Sequence, residues 1–118
     1  KGTKLPIPDN KKFDLVWMYS VITHNYPADT EALFHILRTH IRPGGALVFS
    51  AFLDNNLETF EDKLKNQPLC NAYYNQKYLT QLLTNTRWEV QTMFNQWKNT
   101  LFQNLFVCRP KRRFWELF

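Results

Sequence analysis

An α/β fold built on parallel strands follows from three features of the 118-residue chain. Two apolar runs, Phe13–Met18 and residues 46–52, bracket a stretch whose apolar residues recur at helical spacing. The second run is apolar on both faces, as a covered parallel strand requires. The connection between the runs is also long enough for a right-handed strand–helix–strand crossover.

The elements can be taken in order. Pro6 and Pro8 hold the first residues extended, and Pro8-Asp9-Asn10 reads as a turn. Phe13–Met18 then suits a short buried strand. Polarity rises through Tyr19, Ser20, Val21, Ile22, Thr23, His24 and Asn25, forming an elbow. Asp29 is placed to cap the following helix, with Glu31 in its first turn. Leu33, Phe34, Ile36, Leu37 and Ile41 form its apolar stripe, and Pro43 biases Arg42 away from the helical region. Gly44-Gly45 is expected to reverse the chain through positive φ into the strand at 46–52. Leu57, Phe60, Glu61 and Leu64 suggest a modest helix over 56–65, with 68–74 irregular. Asn75 is positioned to cap a better helix through Tyr78, Leu79, Leu82 and Leu83. Trp88–Phe94 alternates like a strand, and 103–108 reads as a last strand, close enough to pair with it antiparallel.

Composition bounds the function classes. The length suits one domain, and 44% apolar content with 16% aromatics argues for a packed core. No run approaches the ~18 apolar residues of a membrane span, and KGTKLPIPDNKK has no apolar signal core. Cys70 and Cys108 lack metal-ligand spacing. Cys108, in the apolar run LFVC, reads as a buried thiol, and the compartment expected is a reducing cytoplasm. The formal charge is +5, with basic residues at Lys1, Lys4, Lys11 and Lys12 and again at Arg109, Lys111, Arg112 and Arg113. They read as two solvated ends; a nucleic-acid-binding module is the lesser reading, because no recognised binding motif accompanies them.

In an open α/β sheet, ligands gather beyond the carboxyl ends of the parallel strands. This singles out Met18, Tyr19, Ser20, Val21 and His24 after the first strand, and Ser50, Ala51 and Phe52 after the second. Tyr19 suits contact with a ring, and Ser20 hydrogen bonding to a polar ligand. His24 has the chemistry of an anion ligand or a base, set against a local role in holding the elbow. Asp14 reads as a strand-entry or solvent-facing carboxylate. His35 and His40, five apart, suit no shared metal, so no metal site is expected. Ser20, His24 and Asp29 lack a nucleophile elbow, and Gly44-Gly45 is not a phosphate-binding loop.

These residues carry a family resemblance. Leu5-Pro6-Ile7-Pro8-Asp9-Asn10, Phe13-Asp14-Leu15-Val16 and Tyr19-Ser20-Val21-Ile22-Thr23-His24 resemble the fourth strand of class I S-adenosylmethionine-dependent methyltransferases and its flanks. Ile41-Arg42-Pro43-Gly44-Gly45-Ala46-Leu47-Val48-Phe49-Ser50 resembles their fifth-strand motif, the most specific match. Tyr78-Leu79, Leu82-Leu83 and Arg87-Trp88-Glu89-Val90 resemble the late helix and penultimate strand, with Asn85 and Thr86 where glycine is common. The resemblance implies a single incomplete α/β domain over 1–118: the C-terminal half of a Rossmann-like sheet, strands four to seven, with parallel strands and a C-terminal antiparallel pair. The family's glycine-rich loop and ribose-binding acid are not in this sequence; Gly2 and Thr3 stand where a remnant of the adenine-side loop would fall. The resemblance further implies S-adenosylmethionine as cofactor, with Met18, Tyr19, Ser20 and Val21 along its cleft. His24, Ser50 and Phe52 then lie at the rim or acceptor side. The acceptor is unidentified, the chain alone is expected to be inactive, and its partner is a missing N-terminal half or a complementing chain. A non-catalytic α/β fragment that binds another protein is the alternative.

Overall fold

The computed structural model describes residues 5–65, 67–95 and 103–112. Lys1, Gly2, Thr3, Lys4 and Arg113 therefore lie outside the described residues. The element order is β1 (Phe13–Met18), a 3₁₀ turn (Ile22–His24), α1 (Pro27–Thr39), β2 (Ile41–Leu53), β3 (Phe60–Asp62), β4 (Ala72–Tyr74), α2 (Gln76–Asn85), β5 (Trp88–Phe94) and β6 (Asn104–Pro110). β1 runs parallel to β2, β6 lies antiparallel on the other side of β2, and β5 pairs antiparallel with β6. Beyond the end of β1, β4 joins β2 in parallel and carries β3 as an antiparallel outer strand. The parallel pair and the C-terminal antiparallel pair are thus as the sequence predicts.

Alternation along the strands defines two faces. One carries the cross-strand rows Met18–Phe49–Phe106–Met93 and Val16–Leu47–Cys108–Val90. The Phe49 and Phe106 rings stack at 4.9 Å, and Phe34 of α1 packs on Phe49 at 5.2 Å. Leu79, Leu82 and Leu83 bring α2 into the same core. The buried Trp88 indole donates to the Phe34 carbonyl at 2.9 Å, which ties β5 to α1. The other face carries Leu15, Trp17, Val48 and Val107. There the apolar surface opens to solvent, with Leu15 at 59% and Trp17 at 52% exposure.

Several local expectations are corrected. Pro27, not Asp29, opens α1, with Tyr26 as N-cap and Asp29 inside the first turn. Proline fits the first helical position because its missing N–H would have no helical acceptor there. The stretch read as a helix over 56–65 contains β3 instead, and 68–74, expected to be irregular, contains β4. Aromatic packing decides this: Phe60 lies 5.2 Å from Tyr74, while Tyr73 stacks on Phe52 at 4.8 Å. The last strand extends to Pro110. Asn75 caps α2 as expected, its Oδ1 accepting the Tyr78 N–H at 3.0 Å. Asp14 is solvent-facing and pairs with Arg42 at 3.0 Å.

Gly44 and Gly45 do not reverse the chain, and neither has positive φ. They belong to β2, where the register jumps from Phe13↔Ile41 to Leu15↔Ala46 and leaves a bulge opposite Asp14. At Gly45 a Cβ would meet the Asp14 carbonyl oxygen and Ile41 Cγ1 at 2.9 Å and the Arg42 carbonyl oxygen at 3.0 Å; at Gly44 it would meet nothing within 4 Å. Close backbone approach, rather than turn conformation, is therefore what requires a glycine. The turn from α2 into β5 uses positive φ at Arg87 (70°), a non-glycine residue.

Two predictions follow from this packing. Gly45→Ala should lower unfolding stability by about 1–3 kcal/mol through overpacking, with Gly44→Ala changing it by less than about 1 kcal/mol. Denaturant titration of the two variants compares them directly; equal losses would contradict the bulge. Burial pushes the Cys108 thiol from 9.0 up to about 12. Above pH 9 the unfolded chain loses this proton and the native state keeps it, so stability is full below that pH. It should fall by up to about 1.4 kcal/mol per pH unit between pH 9 and 12. Replacing Cys108 with alanine should remove that component of the slope.

Candidate functional site

The polar elbow leaves the carboxyl end of β1 with a left-handed residue, Ser20, at φ 59°. A non-glycine residue rarely adopts this conformation without support. The support is a clasp. Ser20 N–H donates to Ser50 Oγ at 2.8 Å, and Gln103 Nε2 donates to Ser20 Oγ at 2.7 Å. Ser50 is fully buried on β2, and Gln103, at 3% exposure, precedes β6. Three adjacent segments of the sheet's upper end thus converge on one elbow residue.

The clasp sorts the sequence-predicted site residues. Met18 points its side chain into the core at 8% exposure, opposite Phe49. Tyr19 and Val21 stand outward at 39% and 38%. Ser20 and Ser50 meet in the clasp. Phe52 shares the Ser50 face of β2 and stacks on Tyr73. His24, carried onward by the 3₁₀ turn, is not brought to the clasp. Its Nδ1 lies 2.9 Å from the Cys70 carbonyl oxygen. That oxygen can only accept, so Nδ1 carries a proton and donates it.

The β3–β4 hairpin buttresses the elbow, a feature missed by reading the segment as a helix followed by irregular chain. Tyr74 OH donates to the Asn25 carbonyl at 2.7 Å and lies 2.8 Å from Thr30 Oγ1. Burial raises the Tyr74 phenol well above its ordinary value, keeping it a donor. Tyr26 OH donates to Asp62 Oδ2 at 2.8 Å, and Asp62 Oδ1 also accepts the Leu64 and Asn71 N–H groups.

Beyond the clasp, the ends of β2 and β5 and the starts of β6 and α2 border an open cavity of about 320 Å³ lined by Leu53, Asn55, Gln76, Asn95 and Asn104. Four of the five are amides. Asn55 Oδ1 also accepts the Gln76 N–H at 2.9 Å. Among the described residues no cluster of three or more His, Cys, Asp or Glu could hold a metal.

Residues 1–49 match the family model described as a methyltransferase domain. Over 93% of this chain, the structure superposes on 58% of the glycopeptide N-methyltransferase MtfA complexed with S-adenosyl-L-methionine, at a TM-score of 0.67 and 13% identity. The chain has the class I methyltransferase fold. Two further structures agree. One is the 1,6-didemethyltoxoflavin-N1-methyltransferase of Burkholderia thailandensis, with TM-score 0.70, 13% identity, and 91% of this chain on 48% of that one. The other is an S-adenosylmethionine-dependent methyltransferase of Clostridium acetobutylicum, with TM-score 0.66, 13% identity, and 93% on 62%. No curated protein matches the chain in sequence. The chain spans about three-fifths of MtfA. In the methyltransferase sheet, β1, β2, β5 and β6 correspond to strands four, five, six and seven.

The clasp generates its own prediction. Ser50→Ala leaves the Ser20 N–H without its acceptor and should cost about 1–3 kcal/mol. Val21→Ala, on the open surface of the same elbow, should stay within about 0.5 kcal/mol. Thermal and denaturant unfolding of both variants measures the difference, and a neutral Ser50→Ala would remove the clasp from the account.

Proposed function

We propose that this chain is the C-terminal half of the cofactor domain of an S-adenosylmethionine-dependent methyltransferase. The observation that carries the reading is the elbow at the carboxyl end of β1, set in the strand order of that fold. The residues present suit one wall of the cofactor site: Tyr19 and Val21 offer ring and methyl surface to solvent beside a backbone fixed by Ser50. When bound, S-adenosylmethionine supplies an activated methyl group. The chain's own residues contribute position: Tyr19 packs against the cofactor, and the clasp keeps the elbow from rearranging. His24 presents Nε2 to an acceptor at the rim. Rate enhancement then comes from proximity and alignment. The acceptor is unidentified, and the amide-lined cavity beyond β2 gives it a neutral, hydrogen-bonding neighbourhood.

The open face supports a second component of the reading. Leu15 and Trp17 expose apolar surface on the side of the sheet away from α1 and α2, along β1, whose outer edge has no partner strand among the described residues. A preceding half of the same protein, or a complementing chain, covers that face and brings the remaining cofactor-binding loops; without it this chain is inactive. The same surface would serve the alternative, a non-catalytic fragment docked on another protein. Both cysteines are free and buried, consistent with a reducing cytoplasm. No helix among the described residues is long and apolar enough to cross a membrane.

Calorimetry of the intact protein with S-adenosylmethionine tests the reading. Binding is expected, and Tyr19→Ala should weaken it by more than His24→Ala. Wild-type affinity in both variants would remove the residue assignments. Absence of binding in the intact protein would overturn the cofactor reading and leave the docking fragment.

A further inference from the structure

The basic residues, which form two terminal groups in the sequence, are gathered by the topology. β1 and β2 begin at the end of the sheet where α1 finishes, β5 also begins there, and β6 finishes there. Eight of the eleven described lysines and arginines fall at this end, against Asp9, Asp14 and Glu89. The opposite end, above the carboxyl ends of β1 and β2, carries Asp54, Glu58, Glu61 and Asp62 around Lys63, Lys65 and Lys77. Among the described residues the charge is therefore uneven, with a strongly basic floor beneath a roof of mixed, slightly acidic charge.

Hydrogen bonds hold several of these side chains in place. Arg109 reaches the Gly44 and Gly45 carbonyls at 3.3 Å each and the Gln91 amide oxygen at 2.8 Å. Arg38 donates to the Arg87 and Lys111 carbonyls at 3.0 and 2.8 Å, and Lys12 donates to the Thr39 carbonyl at 2.6 Å. These acceptors are neutral backbone and amide oxygens, so these bonds hold the side chains in place. Lys12 and Arg38 also complement the negative end of the α1 dipole. That local task does not account for Lys11, Arg109, Lys111 and Arg112, exposed at the same end, where Arg42 is paired with Asp14 at 3.0 Å.

We propose that this basic floor is a docking surface for the phosphodiester backbone of a nucleic acid, on the side of the domain opposite the elbow. Five of the eight cations are arginines, whose planar forks match phosphate oxygens. Arg38, Arg42 and Arg109 are held on helix and strand ends, which suits a backbone of regular charge spacing better than a fluid lipid surface. Three strand spacings, from β1 across β2 and β6 to β5, span about 14 Å. At about 3.4 Å of axial rise per phosphate, that is about four phosphates of one strand. Because the floor lies away from the elbow, the bound backbone tethers the domain and is not itself at the methyl-transfer site. The proposal does not depend on the cofactor reading, and calorimetry with S-adenosylmethionine tests that reading separately.

The test is fluorescence anisotropy of the intact protein with a labelled 30-nucleotide RNA and a duplex DNA of the same length, titrated with salt. Four contacts predict a log–log slope of about −3, or about a 60-fold loss of affinity between 50 and 200 mM salt. The triple variant Lys11→Gln, Arg42→Gln, Lys111→Gln should reduce the slope by about 2–3. Lys65→Gln with Lys77→Gln, at the acidic end, should leave it unchanged. Preference between the two probes identifies the source of the backbone. Absent or salt-insensitive binding by the wild type overturns the proposal even if the triple variant fails to fold. Equal losses in the two variants, or binding to anionic vesicles or polyglutamate as tight as to either nucleic acid, also overturn it.

Discussion

The structure depends on β2 being buried along one face and paired on both edges. β1 and β4 share one edge of this strand, and β6 takes the other. Phe49 stands at its centre, opposite Met18 and Phe106 in the sheet and beneath Phe34 of α1. A strand with partners on both edges has its backbone donors and acceptors satisfied by neighbours, so its position fixes theirs. The bulge at Gly45 then sets where β1 can begin, and the alternation after it sends Ser50 and Phe52 to the face opposite the helices. The site is a consequence of that register: Ser50 reaches the elbow because Phe49 is committed to the core.

One-sided coverage explains both the apolar exposure and the division of labour in the site. α1 and α2 lie on the Phe49 face, so Met18 serves packing while its neighbour Tyr19 turns outward. The opposite face is closed at its upper end by the elbow, where Ser50 is fully buried, and opens lower down at Leu15 and Trp17. Exposing two large apolar side chains on an edge strand invites association. That liability disappears when another segment covers the sheet.

How much of this was legible in the sequence varies with the physical signal. β1, α1, β5 and the Asn75-capped α2 were readable because periodicity and capping are local properties. The β3–β4 hairpin was not. Phe60 and Leu64 have helical spacing, and what overrides it is the contact of Phe60 with Tyr74 and Tyr26 and of Tyr73 with Phe52, partners fixed only once the chain has folded. Gly44-Gly45 was recognised as a special position for the wrong reason. The sequence shows that glycine is there; only the structure shows that the Asp14 and Arg42 carbonyls occupy the place of a Cβ. Tyr19, Ser20, Val21 and Ser50 stand out in the sequence as candidates near strand ends, and the structure joins Ser20 to Ser50; Gln103, the third member of the clasp, reads in the sequence as part of a strand. No local pattern links it to Ser20, 83 residues away.

The charge distribution shows the same limit from the opposite direction. Read linearly, the cations form two terminal groups and look like solvated ends. Antiparallel β6 carries the second group back to the level where β1 starts, so residues about 100 positions apart share one surface. The sheet's polarity therefore does more than place ligand-binding loops at one end. It assigns different electrostatic character to the two ends, and an anion approaching from solution meets a strongly basic floor and a roof of mixed, slightly acidic charge. At physiological ionic strength that field reaches only about 8 Å, so its effect is orientation on contact rather than capture from a distance. A polyanion held at the floor would leave the elbow, the cavity and the hairpin above it accessible.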